Sequence, residues 1–321
     1  MANYEIIDGV AILPEGIEMI EARAFFDCKD LKRVVIPQWV RRIGENAFWG
    51  CKNLEVVVLP EWLEDIGKDA FEHCSSLKEL NLPQWVKRIE WCAFFGCSSL
   101  QNLFIPSSVT HIGDSAFSDC SSLVRIKVDS NNSVYDSRED SNAIIHTESN
   151  ALISGCSNTI IPPSVTSIGD SAVWGCTSLT QINLPPSVPS IGEDAFLDCT
   201  SLTQISLPPS VTSIEEGAFS GCTSLTQISL PPSVTSIGSE AFWYCTSLTQ
   251  ISLPPSVTSI GRSAFKDCTS LTQISLPPSV TSIEDWAFCR CSSLTLVKVS
   301  KNTELAGNAF RYCPNVKIER Y

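Results

Sequence analysis

Cysteine is the residue type in this chain with the most varied chemistry, since thiols bind metals, form disulfides and act as nucleophiles. Of the 321 residues, 15 are cysteine. No Cys-x-x-Cys pair occurs, and the closest spacing is Cys289-Arg290-Cys291, so the ligand spacing of a structural zinc site is missing. Cys92, Cys156 and Cys289 follow no regular spacing, and we predict that these are the exposed, reactive thiols.

The other cysteines form a column with a step of 23 residues, interrupted between Cys120 and Cys176 and with a last step of 22. A thiol that recurs beside Phe and Leu behaves as a small apolar side chain, so the spacing predicts buried free thiols. Disulfides between neighbouring repeats and metal ligation are the alternatives. The column consists of Cys28, Cys51, Cys74, Cys97, Cys120, Cys176, Cys199, Cys222, Cys245, Cys268, Cys291 and Cys313.

Hydrolytic chemistry finds little support in the sequence. The three histidines, His73, His111 and His146, occupy unrelated places and form neither a zinc pattern nor a catalytic triad. The chain has no Gly-x-Ser-x-Gly nucleophile turn and no phosphate-binding loop. We therefore predict a protein that is not an enzyme and that needs no cofactor.

Four carboxylates lie close together near the middle of the chain. They are Asp129, Asp136, Glu139 and Asp140. Carboxylate oxygens bind calcium, but four acids spread over twelve positions are typical of a solvated loop. A solvated loop is the interpretation preferred here, with a calcium site as the alternative, and no metal is predicted.

Three tryptophans stand out because they recur at a fixed spacing. Trp39, Trp62 and Trp85 are 23 residues apart, at a place where later repeats have Ser, so we expect an exposed aromatic column. Exposed aromatic residues mark interfaces, although the column could also stabilise the early repeats or stack on a sugar. We predict a partner-binding site made of Trp39, Trp62, Trp85, Arg42, Glu64 and Arg88, flanked by Arg41, Asp65 and Lys87.

The spacing of these residues requires a repeating scaffold. Numbering Leu253–Ser275 (LPPSVTSIGRSAFKDCTSLTQIS) from 1, apolar residues fall at positions 1, 5, 8, 12, 13, 16, 19 and 22. The segment Leu-x-x-Ile-x-Leu is strand-like, and Val-Thr-Ser-Ile suits a second short strand. Ala-Phe with the following Cys suits a short helical or 3-10 turn. A unit this small cannot bury its own core, so stacked repeats must share one.

The repeated pattern I/LPxSVTxIGxxAFxxCxSLxxIx closely resembles that of the BspA-like leucine-rich-repeat family, from Leu13 to about Ile318. The resemblance implies an α/β solenoid, a right-handed coil of short parallel strands with short helical or 3-10 turns, interrupted by a β-hairpin island. It also implies a bacterial or protist surface protein linked to adhesion. The chain departs from the family in having no signal or wall anchor, and in its three tryptophans.

The repeats predict the organisation of the chain. We expect an N-terminal cap at 1–12, repeats 1–5 at 13–127, the island at 128–160, repeats 6–11 at 161–298 and a degenerate capping repeat at 299–321. The segment CTSLTQISLPPSVTSI occurs four times unchanged in the second half, whereas side chains outside the core differ from repeat to repeat in the first half. Since a selective site needs varied side chains, the first half is the predicted recognition surface.

The net charge of -13 disfavours nucleic acid and anionic membranes as partners, and no apolar run is long enough to predict membrane insertion. The predicted function is protein–protein recognition or adhesion at a cell surface, extracellular by resemblance, although no signal peptide is evident. The partner is expected to be a host extracellular-matrix or cell-surface protein, or else a glycan. The alternatives are a structural spacer, a self-assembling scaffold, and an engineered or consensus-like repeat protein.

Overall fold

The computed structural model describes residues 4–321, so residues 1–3 of the predicted cap lie outside the described residues. The chain divides into two units. Unit 1 holds the described residues up to Ser149 together with Ile153–Thr159, and unit 2 holds Asn150–Leu152 and Ile160–Tyr321. Each unit is a parallel β-solenoid in which one 23-residue repeat makes one turn, called a rung below.

Each rung of unit 1 contributes a short strand around repeat positions 7–8, and most rungs add a longer strand around positions 21–23. The strands are β1 (Glu5–Ile7), β2 (Val10–Ile12), β3 (Met19–Ile20), β4 (Arg33–Val35), β5 (Arg42–Ile43), β6 (Val56–Val58), β7 (Asp65–Ile66), β8 (Arg88–Ile89), β9 (Asn102–Ile105), β10 (His111–Ile112), β11 (Arg125–Val128), β12 (Tyr135–Asp136) and β13 (Ile144–His146).

Unit 2 repeats the same arrangement with greater regularity. Its first strand pairing joins Ala151 and Leu152 of β14 (Ala151–Ser154) to β15 (Ser167–Ile168). The remaining strands are β16 (Gln181–Asn183), β17 (Gln204–Ser206), β18 (Ser213–Ile214), β19 (Gln227–Ser229), β20 (Ser236–Ile237), β21 (Gln250–Ser252), β22 (Ser259–Ile260), β23 (Gln273–Ser275), β24 (Ser282–Ile283), β25 (Leu296–Val299), β26 (Glu304–Leu305) and β27 (Lys317–Arg320).

Strands of successive rungs pair in parallel and in register, so equal repeat positions lie side by side. Ile43 pairs with Ile66, and Gln227 pairs with Gln250. A slip of one residue would turn the buried isoleucines to solvent and the polar side chains to the core. Columns of identical side chains therefore run along each unit.

The phenylalanines at repeat position 13 form the centre of the core. In unit 1 their rings stack from Phe25 to Phe117 with centroids 4.9–5.5 Å apart, and Tyr4 covers the first ring at 5.2 Å. In unit 2 the stack runs from Phe196 to Phe310 at 5.2–5.5 Å. Large parallel rings at this spacing leave no room for water between the buried members of each stack.

The Ala-Phe segment is a turn, where a short helix or 3-10 turn had been expected. Its backbone N–H groups alternate in direction: Phe48 N donates to Ala70 O of the next rung at 2.8 Å, whereas Ala47 N donates to Gly44 O of its own rung at 3.2 Å, so no continuous helix forms. Residues at positions 11 and 15, such as Asp194 and Asp198, have positive φ, and that alternation directs the amides along the solenoid. Among residues 4–321 the 3-10 segment η1 (Arg138–Asp140) is the only helix.

Hydroxyl side chains join the rungs on the polar faces. Thr249 Oγ1 donates to Thr226 O at 3.2 Å, and the same bond recurs from rung to rung at that repeat position. Ser256 Oγ at repeat position 4 donates to Val234 O at 2.6 Å. These bonds satisfy carbonyls that would otherwise depend on water.

The predicted island, residues 128–160, contains strands that do not follow the repeat. Strand β12 pairs antiparallel with β13, and a turn at 147–150 separates β13 from β14. Buried Asn132 anchors the island: its Nδ2 donates to Pro106 O at 2.8 Å and Val109 O at 2.9 Å, and its Oδ1 accepts from two backbone amides. The Tyr135 hydroxyl accepts a bond from Ile112 N at 3.0 Å, so the island is tied to the last rung of unit 1.

Candidate recognition surface

The three predicted tryptophans are exposed on consecutive rungs of unit 1. The exposed fractions are 68% for Trp39, 40% for Trp62 and 47% for Trp85. The rings of Trp62 and Trp85 lie 5.2 Å apart at an angle of 34°, whereas Trp39 has no ring partner within residues 4–321. The aromatic column is therefore a stacked pair with a third ring beside it.

Tryptophan at this position replaces a structural hydroxyl. In other repeats the serine at position 4 donates to the carbonyl of the preceding rung, as Ser108 does to Val86 and Ser187 does to Val165, both at 2.6 Å. Tryptophan has no hydroxyl with which to make this bond. The early repeats thus exchange a rung-to-rung hydrogen bond for an exposed aromatic surface.

The predicted charged residues are brought together by the strand register. The Glu64 carboxylate accepts from Arg41 at 3.2 Å and from Lys87 at 2.7 Å, and Lys87 is the main cause of a lowered Glu64 pKa. Arg42 Nε donates to Asp65 at 3.0 Å. Exposed pairs of this kind stabilise a fold weakly, by about 0–1 kcal/mol each.

Arg42, Glu64 and Arg88 thus lie on adjacent rungs, but they do not contact one another. Arg88 bonds Glu90 of its own rung at 2.6 Å, and this carboxylate raises the Arg88 pKa. The surface carries alternating charges that are already paired within the chain. A partner would have to replace these pairs, which favours selectivity over affinity.

The sequence did not predict a cavity of about 740 Å3 in unit 1. Its floor is the outward face of β11, with Arg125 and Lys127, and its wall is the island segment with Arg138 and Asp140. Asn102 of β9, the register partner of Arg125, lies at its side. The unexplained cations at repeat positions 21 and 23, where four repeats of the second half have Gln and Ser, were the only sequence signal for it.

The acidic residues of the island make local bonds. Asp136 accepts from the Arg138 guanidinium at 2.5–3.0 Å, and Asp129 accepts from the Asn131 backbone and side chain at 2.8 and 3.1 Å. Within residues 4–321 no three His, Cys, Asp or Glu side chains are arranged to hold a metal.

The prediction that the three irregular cysteines are exposed is wrong. Cys92 is 8% exposed, Cys289 1% and Cys156 0%. Repeat positions 11 and 14 bury small side chains on other rungs, as Ser263 and Ser220 show, and Cys92 and Cys289 occupy these positions. Burial raises the pKa of the Cys92 thiol to about 12, which removes its nucleophilic form at neutral pH.

The regular thiols lie in the core and are buried except for half-buried Cys28, and all fifteen cysteines are free. Ten of the regular thiols donate to a carbonyl at position 13 of the preceding rung, as Cys222 Sγ does to Phe196 O at 3.2 Å. Burial is the main cause of a raised pKa at eight of these thiols, and the value is about 12 for Cys51 and Cys120.

The histidines serve local contacts. His73 lies edge-on to Trp49 and Phe95, and burial lowers its pKa. His111 Nε2 lies 3.6 Å from Glu90 Oε2, and His146 Nδ1 is 2.8 Å from Ser149 Oγ within one turn.

Within residues 4–321, no helix is long and apolar enough to cross a membrane.

Comparisons with known proteins identify similar repeats. The family model described as BspA type Leucine rich repeat region matches six copies, at residues 18–138, 144–268 and 190–317. A leucine rich cell surface protein from Faecalibacterium prausnitzii A2-165 is 29% identical, with a TM-score of 0.69, over 95% of this chain and 83% of that chain. A leucine-rich repeat protein from Eubacterium ventriosum is 26% identical, with a TM-score of 0.68, over 88% and 82%.

A leucine-rich repeat protein from Bacteroides ovatus is 25% identical, with a TM-score of 0.51, and the match covers 99% of this chain and 98% of that chain. No curated protein matches the sequence. The solved structures agree with the parallel solenoid described above.

Proposed function

Because the chain belongs to the BspA-type leucine-rich-repeat family, we propose that it is a non-enzymatic binding module that recognises a protein partner. The binding site is the Trp surface, defined as Trp39, Trp62 and Trp85 with the ion pairs of Arg42, Glu64 and Arg88. The observation that carries the proposal is the exposure of three tryptophans on three consecutive rungs. Exposed Trp and Arg side chains are enriched among residues that dominate binding energy.

The partner is an extracellular-matrix or cell-surface protein, and the role is adhesion. The similarity to a cell surface protein of Faecalibacterium prausnitzii supports an extracellular location. The paired charges beside the tryptophans suit a polar rim around an aromatic centre, which is the usual anatomy of a protein interface.

A purely structural role for the tryptophans is the main competing explanation. The serine hydrogen bonds of other repeats argue against it, since a serine at this position would link the rungs directly. Rungs that contain Trp lack this bond and leave a large apolar side chain in water. Such an exchange is expected where the ring binds something outside the chain.

A spacer or self-assembling scaffold is the second candidate function. The uniform face of unit 2, where Gln204, Gln227, Gln250 and Gln273 recur on adjacent strands, supports it. Light scattering over a range of protein concentrations tests the assembly form. A mass that stays at one chain throughout would exclude it.

The decisive experiment is affinity capture from matrix and cell-surface extracts with the wild type and W39S/W62S/W85S. The variant places at each site the residue that regular repeats carry there, so its fold should be retained. The matched control is W91S, which removes another exposed tryptophan, 45% exposed, at repeat position 10. A partner captured by the wild type and W91S but not by the triple variant supports the proposal. Equal capture by all three proteins refutes the Trp surface as the site.

A further inference from the structure

The cavity beside the island has the size and the mixed polarity of a small-ligand site. At about 740 Å3 it lies within the range of about 300–1,000 Å3 typical of such sites. An adjoining cavity of about 380 Å3 shares Asn102, Arg125 and Lys127 with it and is also lined by Phe104. The two cavities therefore form one cleft across the outward face of β9 and β11.

Two cations on the floor of this cleft have no acidic partner. Arg125 and Lys127 are exposed on β11, two residues apart and on the same face, and neither forms an ion pair with any residue in 4–321. By contrast, Arg138 in the wall is neutralised by Asp136. In a chain with a net charge of -13, unpaired neighbouring cations in a cleft suit a carboxylate, which Arg binds with two parallel bonds.

The rest of the lining suits a sugar ring. Phe104 is 39% exposed and is the register partner of Lys127, so an aromatic face lies directly beside the cation. Asn102 offers both a donor and acceptors, and the Asp140 carboxylate offers acceptors, which together match sugar hydroxyls. The apolar C–H face of a pyranose can pack on the phenylalanine ring.

An acidic peptide fits this cleft less well. The ladder carbonyls and amides of β9 and β11 bond each other in register, so the sheet face offers side chains and no backbone partners for an added strand. Asp129 and Asp140 at the rim would repel a run of several carboxylates. A single carboxylate surrounded by hydroxyls avoids that repulsion.

We propose that the cleft formed by β9, β11 and the island binds a carboxylated pyranose, with Arg125 and Lys127 holding the carboxylate and Phe104 packing against the ring. This site lies on the long strands, apart from the short strands beside the Trp surface. It goes beyond the protein recognition proposed above. Uronic acids and sialic acids share this chemistry, and the experiment below separates these two sources.

The test is calorimetric titration of the full chain with trigalacturonate, sialyllactose, neutral galactotriose and hexaglutamate. The variant R125Q/K127S installs the residues that unit 2 carries at the same positions, Gln204 and Ser206, so folding should be retained. A second variant, F104S, removes the ring in the same way. The matched control is R33Q, which removes an exposed cation at the same repeat position on a rung away from the cleft.

We expect one of the two acidic saccharides to bind, with R125Q/K127S weakening it at least about tenfold, F104S weakening it and R33Q leaving it unchanged. Galactotriose should bind at least about tenfold more weakly, as expected when charged hydrogen bonds are lost. The proposal is overturned if neither acidic saccharide binds, if R125Q/K127S binds as the wild type does, or if hexaglutamate binds with the same dependence on these residues. W39S/W62S/W85S should keep saccharide binding, so failure of the Trp surface and failure of this cleft are distinguishable.

Discussion

The buried thiols predict that each unit loses stability steeply in mildly alkaline solution. A thiol whose pKa is raised by folding keeps its proton in the native state, while the unfolded chain releases it above its ordinary pKa of about 8.5–9. The contribution of the thiol to the free energy of unfolding is therefore fully present below the unfolded pKa, and it is lost as the pH rises towards the raised pKa of the folded state. Eight thiols of the cysteine column, four in each unit, have pKa values that burial raises: Cys51, Cys74, Cys97, Cys120, Cys199, Cys222, Cys245 and Cys268.

The size of the effect follows from linkage. One pH unit above the unfolded pKa, each buried thiol lowers the free energy of unfolding by about 1.4 kcal/mol, so four thiols lower it by about 6 kcal/mol in each unit. Whole domains are commonly stable by only about 5–15 kcal/mol. A large share of the stability of each unit should therefore be lost by about pH 10.

The assay is urea unfolding followed by circular dichroism at several pH values between about 7 and 10.5, in the presence of a phosphine reductant that prevents oxidation. In C222A/C245A the slope of the free energy of unfolding against pH should fall by about 2.5 kcal/mol per pH unit near pH 10. The control is Phe219→Leu, which destabilises the same unit without removing a titrating group. Tyrosine and lysine titrate in every variant, so the difference in slope isolates the thiols.

Two results would refute this reasoning. A free energy of unfolding that does not change up to pH 10.5 would mean that the native thiols ionise as easily as unfolded ones. Identical slopes for the wild type and C222A/C245A would mean that other groups cause the alkaline loss.

Three further predictions concern stability and use urea unfolding at neutral pH. Phe219→Ala should lower the free energy of unfolding by about 3–5 kcal/mol, and Phe219→Leu should lower it by less than half of that, because the ring is fully buried between two stacked neighbours. Equal losses for the two variants would contradict the stacking. Asn132→Ala should lower the free energy of unfolding by about 2–4 kcal/mol, because four backbone groups lose their buried partner. Wild-type stability in this variant would show that the island needs no anchor. W39S/W62S/W85S should stay within about 1 kcal/mol of the wild type, since each serine regains a rung-to-rung bond, and a loss above about 3 kcal/mol would assign these tryptophans a structural role.

Much of the fold could be predicted because its core pattern is local and repeated. The phenylalanine column, the buried Ile43 and Ile66 and the in-register pairing all follow from one 23-residue pattern, since equal positions must stack if every rung is to share a core. The exposure of Trp39 followed in the same way from the polar residue found at its position in other repeats.

The conformation of the Ala-Phe turn was mispredicted because the spacing of apolar residues does not determine the backbone dihedral angles. Asp194 and Asp198 adopt positive φ, and their own amides donate to the next rung; side-chain type alone does not distinguish this from a helical turn. The burial of Cys92 was missed for a related reason. Position 11 carries polar residues in most repeats and position 14 mixes aromatic, charged and small residues, so the burial of a small side chain there follows only from the three-dimensional structure.

The sequence by itself determined the period, the core and the aromatic surface, because each depends on contacts between identical positions of neighbouring repeats. The tertiary structure alone decided the cleft, because Arg125 and Lys127 come from the repeat while Asp140 comes from the island. Their approach depends on how the island is held against the last rung through Asn132 and Tyr135. Contacts between a repeat and a segment outside the repeats do not recur at a fixed spacing, so they cannot be predicted from the repeat pattern of the sequence.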